Sequence, residues 1–252
     1  MKLGICYMLF DGEEFLEPVT RSIRNQADFV AVTWQQTSYH GNKNETNLKP
    51  LIERLKAEGL IDKDIYYEPD LKLSPKENEL ALRNLGLQAS REAGCTHHVS
   101  ADVDEFYVPE QVEHAKNTFG EHDCSMVQNI IYYKKPTWQI TPHNEKFISS
   151  FIHPVTANYE MIFKYPYRIE ITRRLNPYEK CRVYEKDEIV MHHMSYVRKD
   201  IRKKLQNSTT GDMYDIDKFV ADFDKYQLGE RLVIAPDFLT RRTRLVDNIF
   251  GL

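Results

Sequence analysis

Apolar runs alternate with amphipathic stretches through the first hundred positions. Residues 3–10 (LGICYMLF) are almost wholly apolar, the texture of a strand covered on both faces, and 14–25 place Phe15, Leu16, Val19 and Ile23 at helical spacing. A second strand is predicted over 29–34, then a polar loop over 35–47 and a helix running to 58, then a third strand over 65–68. Ser74 followed by Pro75 is a helix start, Gly94 a helix stop, and the helix they bracket covers 75–93. The next apolar run ends in Asp102. This βαβαβαβ order predicts an α/β fold with a mostly parallel central sheet, helices on both faces and ligands at the carboxyl ends of the strands.

Beyond Pro109 the pattern loosens. One helix is expected at 110–119, followed by Tyr- and Pro-punctuated strand-like runs at 126–133, 146–151, 159–163, 167–172 and 188–194. Helices at 197–207 and 216–226 flank a turn at 208–212. With no repeat and no low-complexity stretch, residues 109–252 read as an irregular layer packed against the sheet of residues 1–108, within one compact domain.

Composition narrows the function classes. The net charge is −4 over 252 residues, with a pI of about 6.2, so the surface as a whole is not built for nucleic acid or anionic membrane. The apolar start is cut by Asp11-Gly12-Glu13-Glu14 and suits a first strand better than a signal peptide, and no stretch has the length of a transmembrane segment. Cys6, Cys95, Cys124 and Cys181 lie too far apart for a zinc knuckle or a disulfide framework, which points to a reducing, cytoplasmic setting.

The chemistry concentrates in three places. The run SADVDEFY (100–107) holds Asp102, Asp104 and Glu105 at a strand end; if the chain stays extended, Asp102 and Asp104 share a face. A lone acid there is an ordinary turn former, whereas a like-charged pair shares a proton or holds a cation such as Mg²⁺ or Mn²⁺. In MHHMSYVRKDIRKKL (191–205), His192 and His193 precede a cationic helix, and residues 164–204 carry twelve Lys and Arg against six Asp and Glu. A cationic patch beside a metal ligand suits a diphosphate, and an imidazole shifts the metal preference toward Mn²⁺. Finally Arg83, Asn84 and Gly86 stand mid-helix, where Asn and Gly cost helix stability; packing of the helix on the sheet is the plainest account of the glycine.

RNLGLQASREAG followed by THHVSADVDE is similar to the stretch of GT-A glycosyltransferases, family 2 and its relatives, in which an Arg-Asn-x-Gly helix leads to a strand ending in a DxD motif; here it takes a DxD-Glu-Phe form. LFDGEEFLEP resembles the turn after their first strand. The resemblance implies a GT-A fold and a nucleotide-sugar donor, with Mn²⁺ or Mg²⁺ on Asp104, Asp102 nearer the ribose or metal, and His193 as the late metal ligand. It further implies Arg83 and Asn84 at the nucleoside, and Lys199, Arg202 and Lys203 at the leaving diphosphate. The family's acid after the second strand is replaced by Thr33-Trp34-Gln35-Gln36-Thr37.

An inverting enzyme also needs a carboxylate base for the acceptor hydroxyl. Asp187 and Glu188 are the candidates, with Glu145 behind them. Expected acceptors are a glycan or lipid-linked glycan; Tyr132, Tyr133, Trp138, Tyr159, Tyr165 and Tyr167, interleaved with Lys164, Arg168, Arg173 and Arg174, also suit a hydroxymethylated DNA base. Two competing readings keep the fold. A nucleotidyltransferase would carry a Gly-rich basic phosphate loop where this chain has the acidic Asp11-Gly12-Glu13-Glu14, and a non-catalytic sugar or nucleic-acid binder would have no use for the two aspartates and the late histidine.

Overall fold

In a computed structural model describing residues 1–142, 148–234 and 239–252, the first apolar run forms β1 (Leu3–Leu9), followed by α1 (Glu13–Ile23), β2 (Phe29–Trp34), α2 (Lys49–Ala57), β3 (Lys63–Tyr66) and α3 (Pro75–Glu92). Then come β4 (His97–Asp102), β5 (Glu105–Phe106) and α4 (Pro109–Thr118). Strands β1 to β4 are parallel, in the order β3-β2-β1-β4. The fold is thus α/β, with a mostly parallel central sheet and helices packed on it.

β1 shows why its sequence is apolar at every step. Leu3, Ile5, Tyr7 and Leu9 face a core built with Phe15, Leu16 and Val19 of α1, Leu55 of α2 and Val112 of α4, while Cys6 faces Ala31 and Ala89 on the other side. There α3 lies so close that a Cβ on Gly86 would stand 2.5 Å from the Cys6 sulfur, and one on Gly4 would stand 2.3 Å from Ser90 Oγ. Packing against the sheet therefore accounts for Gly86. Helix α3 begins with a capping box: Ser74 Oγ accepts from the Glu77 N–H, and the Glu77 carboxylate accepts from the Ser74 N–H at 2.7 Å. It ends just before Gly94, whose φ of +69° is left-handed.

The second half is more regular than a loose layer. It contributes β6 (Cys124–Tyr133), β7 (Trp138–Thr141), β8 (Ile148–Ser150), β9 (His153–Pro154), β10 (Asn158–Tyr159), β11 (Leu175–Asn176), β12 (Cys181–Val183) and β13 (Val190–Tyr196). Helices α5 (Ile201–Asn207) and α6 (Ile216–Lys225) and strands β14 (Leu232–Val233) and β15 (Thr240–Leu245) follow. β9 closes the first sheet by pairing antiparallel to β4. A second sheet, ordered β14-β15-β7-β6-β13-β5 with β8 and β12 also on β6, corrects the expectation of an irregular layer. Its strands are short and pair across long stretches of chain, β15 with β7 for example, a pairing that local sequence does not announce. Conversely, the strands expected at 159–163 and 167–172 are loop and a 3-10 turn beyond Tyr159, and Arg174 fastens that loop by donating to the carbonyls of Ile162 and Ile169.

Candidate functional site

The acids lie where two sheets meet. β4 ends at Asp102, and the chain turns at Val103-Asp104 so that β5 can run antiparallel to β13, with Glu105 opposite His193. That turn breaks the extended geometry expected through Asp104. The two aspartates consequently face different partners.

Asp104 is buried, 1% exposed. Its Oδ2 accepts from Arg198 and lies 3.4 Å from Lys204 Nζ, while its Oδ1 is 3.6 Å from His193 Nε2 and has no hydrogen-bond partner. Burial alone would raise this carboxyl's pKa, but Lys204, Arg198 and His193 outweigh it and hold the group well below the usual carboxylate range. The converse acts on His193, where burial opposes the charged imidazolium and Asp104 more than restores it, raising the pKa. The local field therefore favours positive charge between Oδ1 and Nε2.

Arg198 reaches Asp104 along a path cleared by Gly12, which caps α1 at φ +79° and whose Cβ would stand 2.9 Å from the Arg198 guanidinium. The guanidinium also packs over the Phe15 ring, 4.9 Å from its centre, and its Nε and Nη1 are buried without partners. Lys204 follows from the start of α5. Asp200, in extended conformation, accepts from the Lys203 N–H, so the helix begins at Ile201 and not at 197, and Lys204 turns inward.

Asp102 is 31% exposed and sits on arginines instead: Oδ1 is 3.4 Å from Arg83 and Oδ2 is 3.2 Å from Arg173. Arg83, fully buried, also pairs with Glu79 at 2.8 Å and donates to Ser100 at 3.1 Å. Arg173 grips Glu105 with two hydrogen bonds, 2.5 and 3.1 Å. Glu170 completes the network against Lys76, Arg83 and Arg173. Burial pushes its pKa up, but those three cations bring it down overall, so it is ionised at neutral pH.

These groups line a cavity of about 240 Å³ at the carboxyl ends of β1 and β4. Asp102, Asp104, Glu170, His193, Arg198 and Lys204 all face it, together with Gln35, whose buried Oε1 lacks a partner, and Tyr39. The walls come from both halves of the chain. The remaining expected residues lie elsewhere. Arg83 is beneath the cavity as a prop for Asp102, and the Asn84 amide is joined to the backbone of Tyr159. Lys199 is exposed, Arg202 pairs with Asp217 at 2.6 Å, and Lys203 reaches Asn44 at 2.9 Å. Asp187 and Glu188 are in a turn before β13, with Glu188 on Arg182 at 2.7 Å, and neither lines the cavity. Glu145 lies outside the described residues. His192 is in the core, bonded to Tyr132 at 2.8 Å.

Glu170 escaped the sequence reading, and Arg173 entered it only among the cations suited to a DNA acceptor, because no spacing rule ties either to Asp102. Arg198 and Lys204 were visible as charges, and locating Asp200 as the helix cap was the signal that separates them from their neighbours.

Among the described residues no three His, Cys, Asp or Glu side chains are grouped to hold a metal. Two do suit one: an unpartnered carboxylate oxygen 3.6 Å from an imidazole nitrogen matches two ligands of a shared ion. Mg²⁺ and Mn²⁺ sites often draw only one or two side chains from the protein, the rest being water and phosphate oxygens. Asp102 is held by arginines and is not part of that pair.

No protein-family model and no curated protein matches the chain. Similar solved structures include S. aureus TarS 1–349 at 12% identity and TM-score 0.45, covering 82% of this chain and 64% of that one. A longer TarS chain gives 12% identity and TM-score 0.46, with 88% and 43% covered. TarS 1–349 in complex with UDP gives 13% identity and TM-score 0.45, with 88% and 70% covered. This chain thus spans about 64% of TarS 1–349 and 43% of the longer TarS chain. Among the described residues no helix is long and apolar enough to cross a membrane.

Proposed function

We propose that the chain is a glycosyltransferase that transfers a sugar from a nucleotide-sugar donor to a hydroxyl acceptor, with the donor diphosphate at Asp104 and His193. The observation that carries this reading is the Asp104 carboxylate, buried at a parallel strand end, with one oxygen on Arg198 and Lys204 and the other unpartnered beside His193. Arg198 and Lys204 outnumber the carboxylate they hold, but Asp11, Glu79, Asp102 and Glu170 line the same cavity, so a diphosphate would be received by these two cations together with a bound metal ion and not by a net positive wall.

Asp104 and His193 would hold Mn²⁺ or Mg²⁺. When bound, the ion supplies charge neutralisation to the departing diphosphate. Arg198 and Lys204 receive the same negative charge from the opposite side, in a site that burial keeps poor in water. Arg83 and Arg173 keep Asp102 in place beside the sugar. Glu170 faces the cavity from the second half, and because Lys76, Arg83 and Arg173 hold its pKa down to about 2 it serves to orient the acceptor hydroxyl by accepting its hydrogen bond and not as a strong base. A nucleotidyltransferase would need cations in the turn after β1, where this chain has Asp11, Glu13 and Glu14.

The test is a thermal-shift screen of nucleoside diphosphates with and without Mn²⁺, since a ligand of the native state raises Tm by mass action. The expected result is a metal-dependent rise for one or two nucleotides that disappears in Asp104→Ala. A rise of equal size without metal, or none with any nucleotide, overturns the reading.

A further inference from the structure

A second cavity, of about 690 Å³, opens beside the first and shares Asp102, Glu170, His193 and Thr210 with it. Its remaining walls include Lys76 and Glu105 from the first half and, from the second, Asn129 of β6, Met191 of β13 and the segment carrying Tyr165, Tyr167, Arg168 and Arg174. The charges along it are compensated unevenly. At the shared end Arg173 is engaged by Glu105 and Asp102, and Lys76 by Glu79 and Glu170. Along the unshared walls Arg168 is exposed, and neither it nor Arg174 has a carboxylate partner among the described residues.

Arg174 is held in place nonetheless. Its guanidinium donates to the backbone carbonyls of Ile162, Phe163 and Ile169 and lies 5.6 Å from the centre of the Tyr165 ring, while its Nε is buried without a partner. Carbonyl oxygens take three of its hydrogens and leave its charge uncancelled. A partly buried cation in that state is stabilised by an arriving anion. Two such arginines suit one anionic group, whereas a nucleic-acid track typically neutralises about six to ten phosphates.

We infer that this second cavity binds the acceptor, and that the acceptor is a sugar carrying an anionic group, phosphate or carboxylate, which Arg168 and Arg174 recognise. Tyr165 and Tyr167 lie against its carbon skeleton, and its hydroxyl points to the shared end at Asp102 and Glu170. The direction of the hydroxyl rests on the glycosyltransferase reading above; the anion site stands on the arginines alone.

Calorimetric titration of glucose 6-phosphate, glucuronate and glucose tests it, using the full chain, Arg168→Gln and Arg174→Gln, with a separate titration of nucleoside diphosphate plus Mn²⁺. Arg168 is exposed, so its replacement leaves the fold intact. At least one anionic sugar is expected to bind about tenfold or more tighter than glucose and to lose about tenfold in each variant, the gain of a charge-assisted contact. The tighter of the two tells phosphate from carboxylate. Nucleotide binding should be unchanged in Arg168→Gln. Equal affinity for glucose and both anionic sugars overturns the inference, as does affinity indifferent to both substitutions, or a short single-stranded DNA that binds tighter than either sugar. Anionic-sugar binding that behaves as expected while no nucleotide binds would leave the anion site standing and remove the glycosyltransferase reading.

Discussion

The two halves of the molecule solve different problems. In residues 1–108 the inner parallel strands β1, β2 and β4 are buried, and this half brings carboxylates to the cavity: Asp102 at the end of β4, Asp104 in the turn after it and Glu79 on α3. The second half folds through long-range pairing and supplies most of the opposite charges, Arg173 from a 3-10 turn, His193 from β13, Arg198 from the segment after it and Lys204 from α5, together with one further carboxylate, Glu170. Neither set is a site alone. A buried carboxylate without cations is driven to take up a proton, and cations without the carboxylates have no anchor. The dependence of one half on the other is what mutation and pH should expose.

The largest effect is expected at the buried link between α3 and β4. Arg83→Met leaves Glu79 buried without its main partner and Asp102 with one arginine fewer, a loss of about 3–5 kcal/mol. In a chain of this size that lowers Tm by roughly 10 °C or more in a thermal melt. A melt within two degrees of the parent would mean that this arginine does not hold α3 to β4.

Acid comes next. His153 is fully buried where β9 meets β4, and burial, aided by the nearby His97 and Arg91, lowers its pKa from 6.5 to about 4. His98, against which its ring packs, is also held well below the ordinary value by burial. A histidine kept neutral in the fold binds fewer protons than in the unfolded chain, so stability is full above about pH 6.5 and falls as pH drops from there toward 4. The loss for His153 reaches about 3 kcal/mol at the lower end. Urea midpoints at pH 7 and 4.5 measure it, and His153→Gln should flatten the dependence. An unchanged slope would place the acid sensitivity elsewhere.

A smaller effect sharpens the description of the first half. Gly86→Ala gains helix propensity but drives a methyl into Cys6, 2.5 Å away, and a net loss of about 1–2 kcal/mol is expected by chemical denaturation. A gain in stability would mean that α3 has room to move off the sheet.

The contrast between the halves also explains what the sequence made legible. Apolar runs, Ser74-Pro75 and Gly94 are local signals, and β2 and α3 lie where those signals place them. Strands β7, β12 and β15 depend on partners far along the chain and carry no local mark. The runs at 159–163 and 167–172, each opening on a tyrosine, look like strands, yet beyond Tyr159 their backbone is fastened by Arg174 as loop and a 3-10 turn. At the site, Asp104 and His193 were readable from the order of motifs. The inward phase of Arg198 and Lys204 was not, because it follows from Asp200 capping a helix four residues later than the charge run suggests. The engagement of Asp102 by Arg173 joins residues with no pattern in common.

The most direct measurement of the central proposal is a titration of Mn²⁺ followed by the electron paramagnetic resonance signal of the free ion, with nucleoside diphosphate present, in the parent chain and in Asp104→Ala and His193→Ala. The account predicts one tight Mn²⁺ per chain that requires the nucleotide, is abolished by Asp104→Ala and is weakened about tenfold or more by His193→Ala. Tight Mn²⁺ binding that survives both substitutions, or nucleotide binding with no bound Mn²⁺, would contradict it.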